Sequence, residues 1–461
     1  MEDNIFEKLR SYNQHHVIEH YQTLTEEEQQ GMLNVIKSFD MDLIFRIHKN
    51  FLQDRKENIQ NISPASIIAL PKTQEDMGQR KRMRDMGESL LRENKVAVLI
   101  VAGGQGTRLG YEGPKGTFKI TPVQQKPLFQ LFTEQIIALS RRYSARIPMI
   151  IMTSFENDEE TRTFFLDNDY FGIGKENIYF FQQGMLPTLT PDGKLIIKDR
   201  AQIAMNPDGH GGSLKALSES GILGRLLEDG YTELFYCQVD NPLVKIADPV
   251  FLGYHNLAQS KASTKVVRRR DVKEKVGIYL NVNGRDAIIE YSDIDVSYMT
   301  ALDENGEILY WAGNTAIHIF SLPFVKRLNS HGFGLPYHCA KKNMYIKTAN
   351  GSISQIDVWK FETFVFDAIP LAEKTLAMEV KREEEFSPVK NITGVDSPEK
   401  AKEDMCALFK KWLEAAGAKV MPGVKVEISP LYALDYEEFE KKFNKKNLTI
   451  EQDLYLETPL K

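Results

Sequence analysis

The sequence predicts an α/β protein built on a mixed, mainly parallel sheet with helices on both faces. Three observations carry that reading. Between residues 94 and 385, short apolar runs alternate with amphipathic segments. The runs are apolar throughout rather than alternating with polar residues, as expected of strands covered on both faces. The first of them, Val96–Val101, leads directly into glycines at 103, 104 and 106. That is the strand-to-loop junction at which open α/β sheets take phosphates.

The elements follow in order. Residues 1–93 read as a helical N-terminal region, because Leu9, His16, Tyr21, Met32, Val35, Ile36 and Leu43 recur at loosely helical intervals among charges. Lys72 to Arg84 reads as a polar stretch leading to the first strand. Residues 94–385 form the predicted central α/β domain. Its strands are Val96–Val101, Ile147–Thr153, Ile178–Gln182, Leu234–Val239, Lys265–Arg268, Val276–Val282 and Ala316–Phe320. Its helices are Leu128–Arg142, Glu159–Asn168 and Gly212–Leu227. Helices thin out after about residue 265, which predicts an antiparallel addition to the sheet. Residues 386–461 form a third, C-terminal domain, with charge-rich helices at Pro398–Ala416 and Tyr436–Lys445 around the apolar piece Val424–Leu431.

Bulk properties narrow the function. The chain has 461 residues, too many for one ordinary core, and a net charge of −6. That charge offers no general attraction to nucleic acid or to an acidic membrane. Any phosphate must therefore be held by a local cationic site. No apolar run approaches the roughly 18 residues that a membrane crossing needs. Cys237, Cys339 and Cys406 stand alone, which argues against a disulfide framework or a zinc site and points to a reducing cytoplasm.

The loop at 96–119 is the strongest chemical signal. Gly103, Gly104 and Gly106 let backbone N–H groups approach an anion. Arg108 can fork two phosphate oxygens, and Pro114-Lys115 returns a second cation at a rigid turn. A dinucleotide-dependent oxidoreductase is the rival reading. It needs a helix to start at the loop and an acid at the end of the next strand. Here Gly110, Gly113 and Pro114 interrupt such a helix, and the next strand ends in Met-Thr-Ser. No window fits a P-loop. Asp240, directly after the strand ending at Val239, is placed to hold Mg²⁺ with phosphate oxygens; a helix cap before Pro242 is the alternative.

The segment AGGQGTRLG followed by PKG resembles the signature of the sugar-nucleotide pyrophosphorylases, and within them the eukaryotic-type UDP-N-acetylglucosamine pyrophosphorylases. FFQQGMLP (180–187), PDGHGG (207–212), VDNPLVKIADP (239–249), EYSD (290–293), AGN (312–314), FVFD (364–367), FSPVKN (386–391) and VEISPL (426–431) match in the same order. The likeness spans about residues 95–435. It implies a Rossmann-like nucleotidyltransferase core. The implied reaction joins UTP to a sugar 1-phosphate, giving a UDP-sugar and pyrophosphate, with Mg²⁺ (or Mn²⁺). N-acetylglucosamine 1-phosphate is the leading acceptor. Glucose 1-phosphate, or broad sugar specificity, is the alternative, and a non-catalytic UDP-sugar-binding protein is the rival of another class.

The resemblance also assigns roles. Val101 (leucine in the family), Ala102, Gly103 and Gly104 should bound the nucleotide. Arg108 should take the departing pyrophosphate, and Lys115 should bridge phosphates near the α-phosphorus. Gln183 should read uracil, with Gly209 lying against the base. Glu290 and Asn314 should bind sugar hydroxyls. Lys360 should face the nucleotide and Lys390 the sugar phosphate, the latter arriving by closure of the C-terminal part. His210 stands where the N-acetylglucosamine enzymes usually carry asparagine and the glucose-type enzymes carry histidine. FFQQGMLP, FVFD and VEISPL favour the N-acetylhexosamine branch, with Phe364 and Phe366 as a wall for an acetyl methyl or as core.

Overall fold

The computed structural model describes residues 2–53, 61–198, 200–330, 332–347, 353–443 and 447–457. Contacts divide the chain into two compact units, each assembled from three separate stretches. The smaller takes residues 1–59, 183–216 and 334–367, and the larger takes 60–182, 217–333 and 368–461. The units thus divide elsewhere than at the expected boundaries near 93 and 385.

In the larger unit ten of the described strands form one sheet, and two short parallel pairs, Lys419–Val420 with Thr449–Ile450 and Val426–Ile428 with Leu454–Leu456, stand apart from it. Four strands of the large sheet, Glu233–Gln238, Val96–Val101, Met149–Thr153 and Ile178–Gln182, lie side by side and parallel, the last of them at its edge. Val96–Ile100 is buried at every position, so both faces are covered and the run needs no alternation. Burying each such Val, Leu or Ile contributes about 1.5–3 kcal/mol. The antiparallel addition is present: Ala312–Ser321 runs against Glu233–Gln238, with Ala262–Arg268 and Ile278–Val282 against it in turn.

Local chemistry corrects several expected elements. The polar stretch from Lys72 lies mostly within a helix, Gln74–Arg92. Thr73 and Asp76 form a capping box that starts it, and only Met83, Gly87 and Leu91 are buried. Gly87 lies against Pro249 and Gly253 against Met83, so closely that a methyl group at either glycine would overlap backbone. The span Gly212–Leu227 is two helices, Gly212–Glu219 and Ile222–Glu228, because Gly221 turns left-handed at φ 78°. The last helix is Tyr436–Lys442; its expected end at Lys445 lies outside the described residues.

In the smaller unit, four helices (Glu2–Ser11, His15–Tyr21, Glu26–Lys37 and Met41–Gln53) bury one shared core. Leu9, Met32, Ile36 and Ile44 pack there with Leu186, Leu189, Trp359 and Phe361. A long antiparallel hairpin, Tyr337–Lys347 with Ile353–Thr363, completes the unit. Nothing in the apolar pattern foretold that hairpin.

Candidate active site

Three neighbouring parallel strands of the larger unit end on one edge of the sheet, and the phosphate-loop residues gather there. Ala102 N–H donates to Met152 O at 2.8 Å, and Val239 N–H donates to Val101 O at 3.0 Å. The loop then folds back on itself: Gly106 N–H bonds Gly113 O at 2.9 Å and Lys115 N–H bonds Gly104 O at 3.1 Å. Gly106 lacks room for a side chain because the Tyr111 ring fills it, and Gly113 needs φ 130°. Gly103 is half-buried, whereas Gly104 and Arg108 are exposed.

Asn157, fully buried, ties this loop to the next strand. Its Nδ2 donates to Ala102 O at 3.0 Å, and its Oδ1 accepts from Ser154 N–H at 2.8 Å. Sequence reasoning missed it, since a lone asparagine opening a helix carries no distinctive signal.

Lys115 and Asp240 meet. Lys115 Nζ lies 3.8 Å from Asp240 Oδ2 and donates to Val389 O at 3.4 Å. Val389 N–H donates to Asp240 O at 2.8 Å. Asp240 is not a helix cap: the next helix starts at Pro249 and is capped by Asp248. Lys390 follows Val389 directly, so its backbone is already seated beside Asp240 and needs no closure to get there.

The anchor of that segment is buried and ionic. Asn241 donates to Glu385 O at 2.7 Å and accepts from Ser387 N–H at 3.0 Å. Lys265, wholly buried, lies 2.7 Å from Asp248 and 2.5 Å from Glu385. Burial alone would push the Asp248 carboxyl up, but Lys265, with Arg80 and Lys245 near, holds it well below the usual carboxylate range.

Glu290 and Asn314 come together elsewhere on the larger unit. Both border Gly277, where an added Cβ would lie 3.4 Å from Glu290 and 3.7 Å from Asn314. A register shift in the Ala262–Arg268/Ala312–Ser321 pairing and φ 56° at Ala316 mark a bulge, and Asn314 Oδ1 accepts from Ala316 N–H at 2.9 Å.

Gln183, Gly209, His210 and Lys360 belong to the smaller unit. Gly209 turns at φ 85° against Thr363, where any Cβ would overlap the backbone. Gly211 N–H bonds Thr363 O at 2.8 Å, and Thr363 N–H bonds Asp208 O at 2.7 Å. The loop is thus zipped onto the end of the hairpin strand. Lys360, on that strand, pairs with Ala340, and Gln183 is half-buried next to Gly184.

His210 has a defined protonation state. Val365 N–H donates to its Nδ1 at 3.2 Å, so Nδ1 is an acceptor and the proton sits on Nε2. Burial, helped by His338, pulls the ring down to about 4, so it is neutral at pH 7. The ring stacks on Phe364 at 5.4 Å and 19°, and Phe364 stacks on His338 at 4.3 Å. Phe366 is core, whereas Phe364 is half-exposed.

With that geometry in view, the comparisons are specific. The family described as UTP–glucose-1-phosphate uridylyltransferase matches residues 41–451, and the chain belongs to it. UDP-N-acetylglucosamine diphosphorylase 1 of Arabidopsis thaliana is 35% identical, over 95% of this chain and 90% of its own. UDP-N-acetylglucosamine pyrophosphorylase of Saccharomyces cerevisiae is 36% identical over 82% of each chain. The crystal structure of uridine diphosphate N-acetylglucosamine pyrophosphorylase from Trypanosoma brucei superposes with TM-score 0.81 and 25% identity, covering 98% of both chains.

Proposed function

We propose that this protein is a uridylyltransferase that makes UDP-N-acetylglucosamine and pyrophosphate from UTP and N-acetylglucosamine 1-phosphate. The observation that carries the reading is the meeting of Lys115, Asp240 and the Val389–Lys390 segment at the carboxyl edge of three parallel strands. The names of the relatives above support the choice of sugar.

An oxygen of the sugar phosphate attacks the α-phosphorus of UTP, forming a new O–P bond as the bond to pyrophosphate breaks. The nucleophile is already an anion, so no general base is required. The difficulty is bringing two polyanions together and stabilising charge in transit. Lys115 is fixed for that task by its backbone bond to Gly104 and its side-chain bond to Val389. Losing such a contact typically costs about 3–4 kcal/mol, a few hundredfold in rate. Arg108, exposed on the same loop, takes the pyrophosphate end, and Lys390 takes the sugar phosphate. On the larger unit, Val101, Ala102, Gly103 and Gly104 bound the nucleotide, and Glu290 and Asn314 bind sugar hydroxyls. Gln183, Gly209 and Lys360 of the smaller unit bind uridine by the family resemblance alone, and by the same resemblance His210 binds a sugar hydroxyl. His210 does so as an Nε2–H donor, the tautomer that the Val365 bond selects.

Asp240 suits Mg²⁺. Its carboxylate accepts no hydrogen bond from a described residue, and its near cation, Lys115, stands off at 3.8 Å. No cluster of three or more His, Cys, Asp or Glu ligands exists among the described residues. A single carboxylate completed by substrate oxygens is how Mg²⁺ is often held, and bound there it would neutralise phosphate charge. Among the described residues no helix is long and apolar enough to cross a membrane, and the three cysteines are free. We place the reaction in the cytoplasm.

The test is pyrophosphate release from UTP with each of GlcNAc-, GalNAc-, glucose- and galactose-1-phosphate, for wild type and His210→Asn. GlcNAc 1-phosphate should give the highest kcat/KM, and the substitution should change the sugar ranking. No release with any sugar phosphate would refute the reading.

A further inference from the structure

The Val-Glu-Ile-Ser-Pro-Leu segment at 426–431 has no part in the chemistry described above, yet the structure joins it to the phosphate loop. Glu427 is almost fully buried. Its Oε2 accepts from the backbone N–H groups of both Val123 and Gln124, each at 2.8 Å. These two residues form the tip of a tight turn that begins where the phosphate loop ends. The sides of the turn are closed by Ile120 N–H to Lys126 O at 2.9 Å and Leu128 N–H to Phe118 O at 3.1 Å. Its base is Lys115, whose carbonyl accepts from Phe118 N–H at 3.1 Å.

A second contact closes the same turn. Lys126 Nζ, nearly buried, holds both oxygens of Glu134 at 2.7 and 2.8 Å and donates to Tyr455 Oη at 2.6 Å. Tyr455 pairs with Glu427 across the parallel Val426–Ile428/Leu454–Leu456 ladder. One short sheet near the C-terminus therefore grips the turn by its tip and by its side. At the base, Gly116 lies so close to the Phe129 ring that a methyl group would overlap it. The backbone there has no slack: a shift at 123–124 passes to Lys115 rather than dissipating.

We propose that Glu427, assisted by Tyr455, is a positioning residue for Lys115. It never touches substrate. It fixes the turn that sets where the Lys115 ammonium stands relative to Asp240. This inference rests on the catalytic role proposed above for Lys115.

The test is a double-mutant cycle on the full-length enzyme, with kcat expressed per active site counted by UDP-sugar binding. Glu427→Ala should lower kcat about 10- to 100-fold, the scale of an ångström misplacement of a catalytic group. The KM for UTP should stay within about threefold, since the effect is exerted in the transition state. Glu427→Gln should recover most of the rate, because its carbonyl oxygen still accepts both N–H groups. In a Lys115→Ala background, Glu427→Ala should cost nothing further. An equal loss in both backgrounds, or full kcat in Glu427→Ala, overturns the inference. If Glu427→Ala yields no folded protein, Tyr455→Phe is read in the same cycle. A severalfold loss with Lys115 present and none without it supports the inference; an equal loss in both, or no loss in either, overturns it. Failure of wild type to release pyrophosphate, or full activity in Lys115→Ala, would instead defeat the reading on which it rests.

Discussion

Replacing Lys265 with methionine should destabilise the protein more at neutral pH than in acid. The ammonium is wholly buried, 2.7 Å from Asp248 and 2.5 Å from Glu385, and both carboxylates are nearly buried as well. Methionine fills a similar volume, so the main loss is charge and hydrogen bonding, not packing. Breaking a buried pair by removing one partner costs about 3–5 kcal/mol, and here two carboxylates lose it together. The unfolding entropy of a chain this long is about 1 kcal/mol/K, so a loss of about 4 kcal/mol lowers Tm by about 4 °C if unfolding is two-state. The pH sign follows from Asp248. In wild type its carboxyl is depressed, so it contributes stability above the unfolded value of about 3.9 that is lost only as pH falls through the lower folded value. Without Lys265, burial dominates and the Asp248 carboxyl rises. A raised carboxyl costs stability as pH climbs through its folded pKa, so the deficit should be full at pH 7.5 and narrower near pH 5. Thermal or urea denaturation of both proteins at the two pH values measures it. An unchanged Tm at pH 7.5, or a deficit that widens in acid, would refute the reasoning.

Other predictions rest on separate contacts. Gly209→Ala demands φ 85° of a residue with a Cβ and drives that Cβ into Thr363. It should cost at least about 1 kcal/mol, read by denaturation, and raise KM for both substrates as the 208–212 loop shifts. Asp240→Asn removes the carboxylate proposed for Mg²⁺. The Mg²⁺ concentration for half-maximal rate should rise at least about tenfold, an unchanged titration counting against the assignment. His210, pulled down to about 4, stays neutral across pH 5–8, so a plot of sugar-phosphate KM against pH should show no inflection from it there. Because its folded pKa is depressed, His210 also costs stability as pH falls from about 6.5 to about 4. By urea denaturation, His210→Asn should therefore lose less stability than wild type over that interval.

What the sequence made legible, and what it hid, follows from where the signal lies. The strand Val96–Val101 is legible because all six residues are apolar and the loop after it is rich in glycine. The same local density exposed Arg108 and Lys115. The helix Gln74–Arg92 falls within the region read as helical, but its bounds were hidden because its buried stripe is just Met83, Gly87 and Leu91 among many charges; the signal that could have placed its start was Thr73 with Asp76. The hairpin at 337–363 was hidden because its outer half is largely exposed and polar. Asn157 and Glu427 were hidden for a different reason. Each acts through backbone partners distant in sequence, Ala102 and Val123–Gln124, and a hydrogen bond to a peptide group leaves no trace in the partner's identity. The roles of Gln183, Glu290 and Asn314 came from resemblance alone; the structure adds that Glu290 and Asn314 are neighbours.

In the reaction proposed above, a sugar-phosphate oxygen attacks the α-phosphorus of UTP and Lys115 speeds this step. That mechanism is tested most directly by giving the enzyme UTP with GlcNAc 1-phosphate carrying ¹⁸O in its non-bridging phosphate oxygens. All of the label should appear in UDP-GlcNAc, including its pyrophosphate bridge, with none in the released pyrophosphate, and the rate should be a few hundredfold lower in Lys115→Ala. Label in the released pyrophosphate, or an undiminished rate without Lys115, would contradict it.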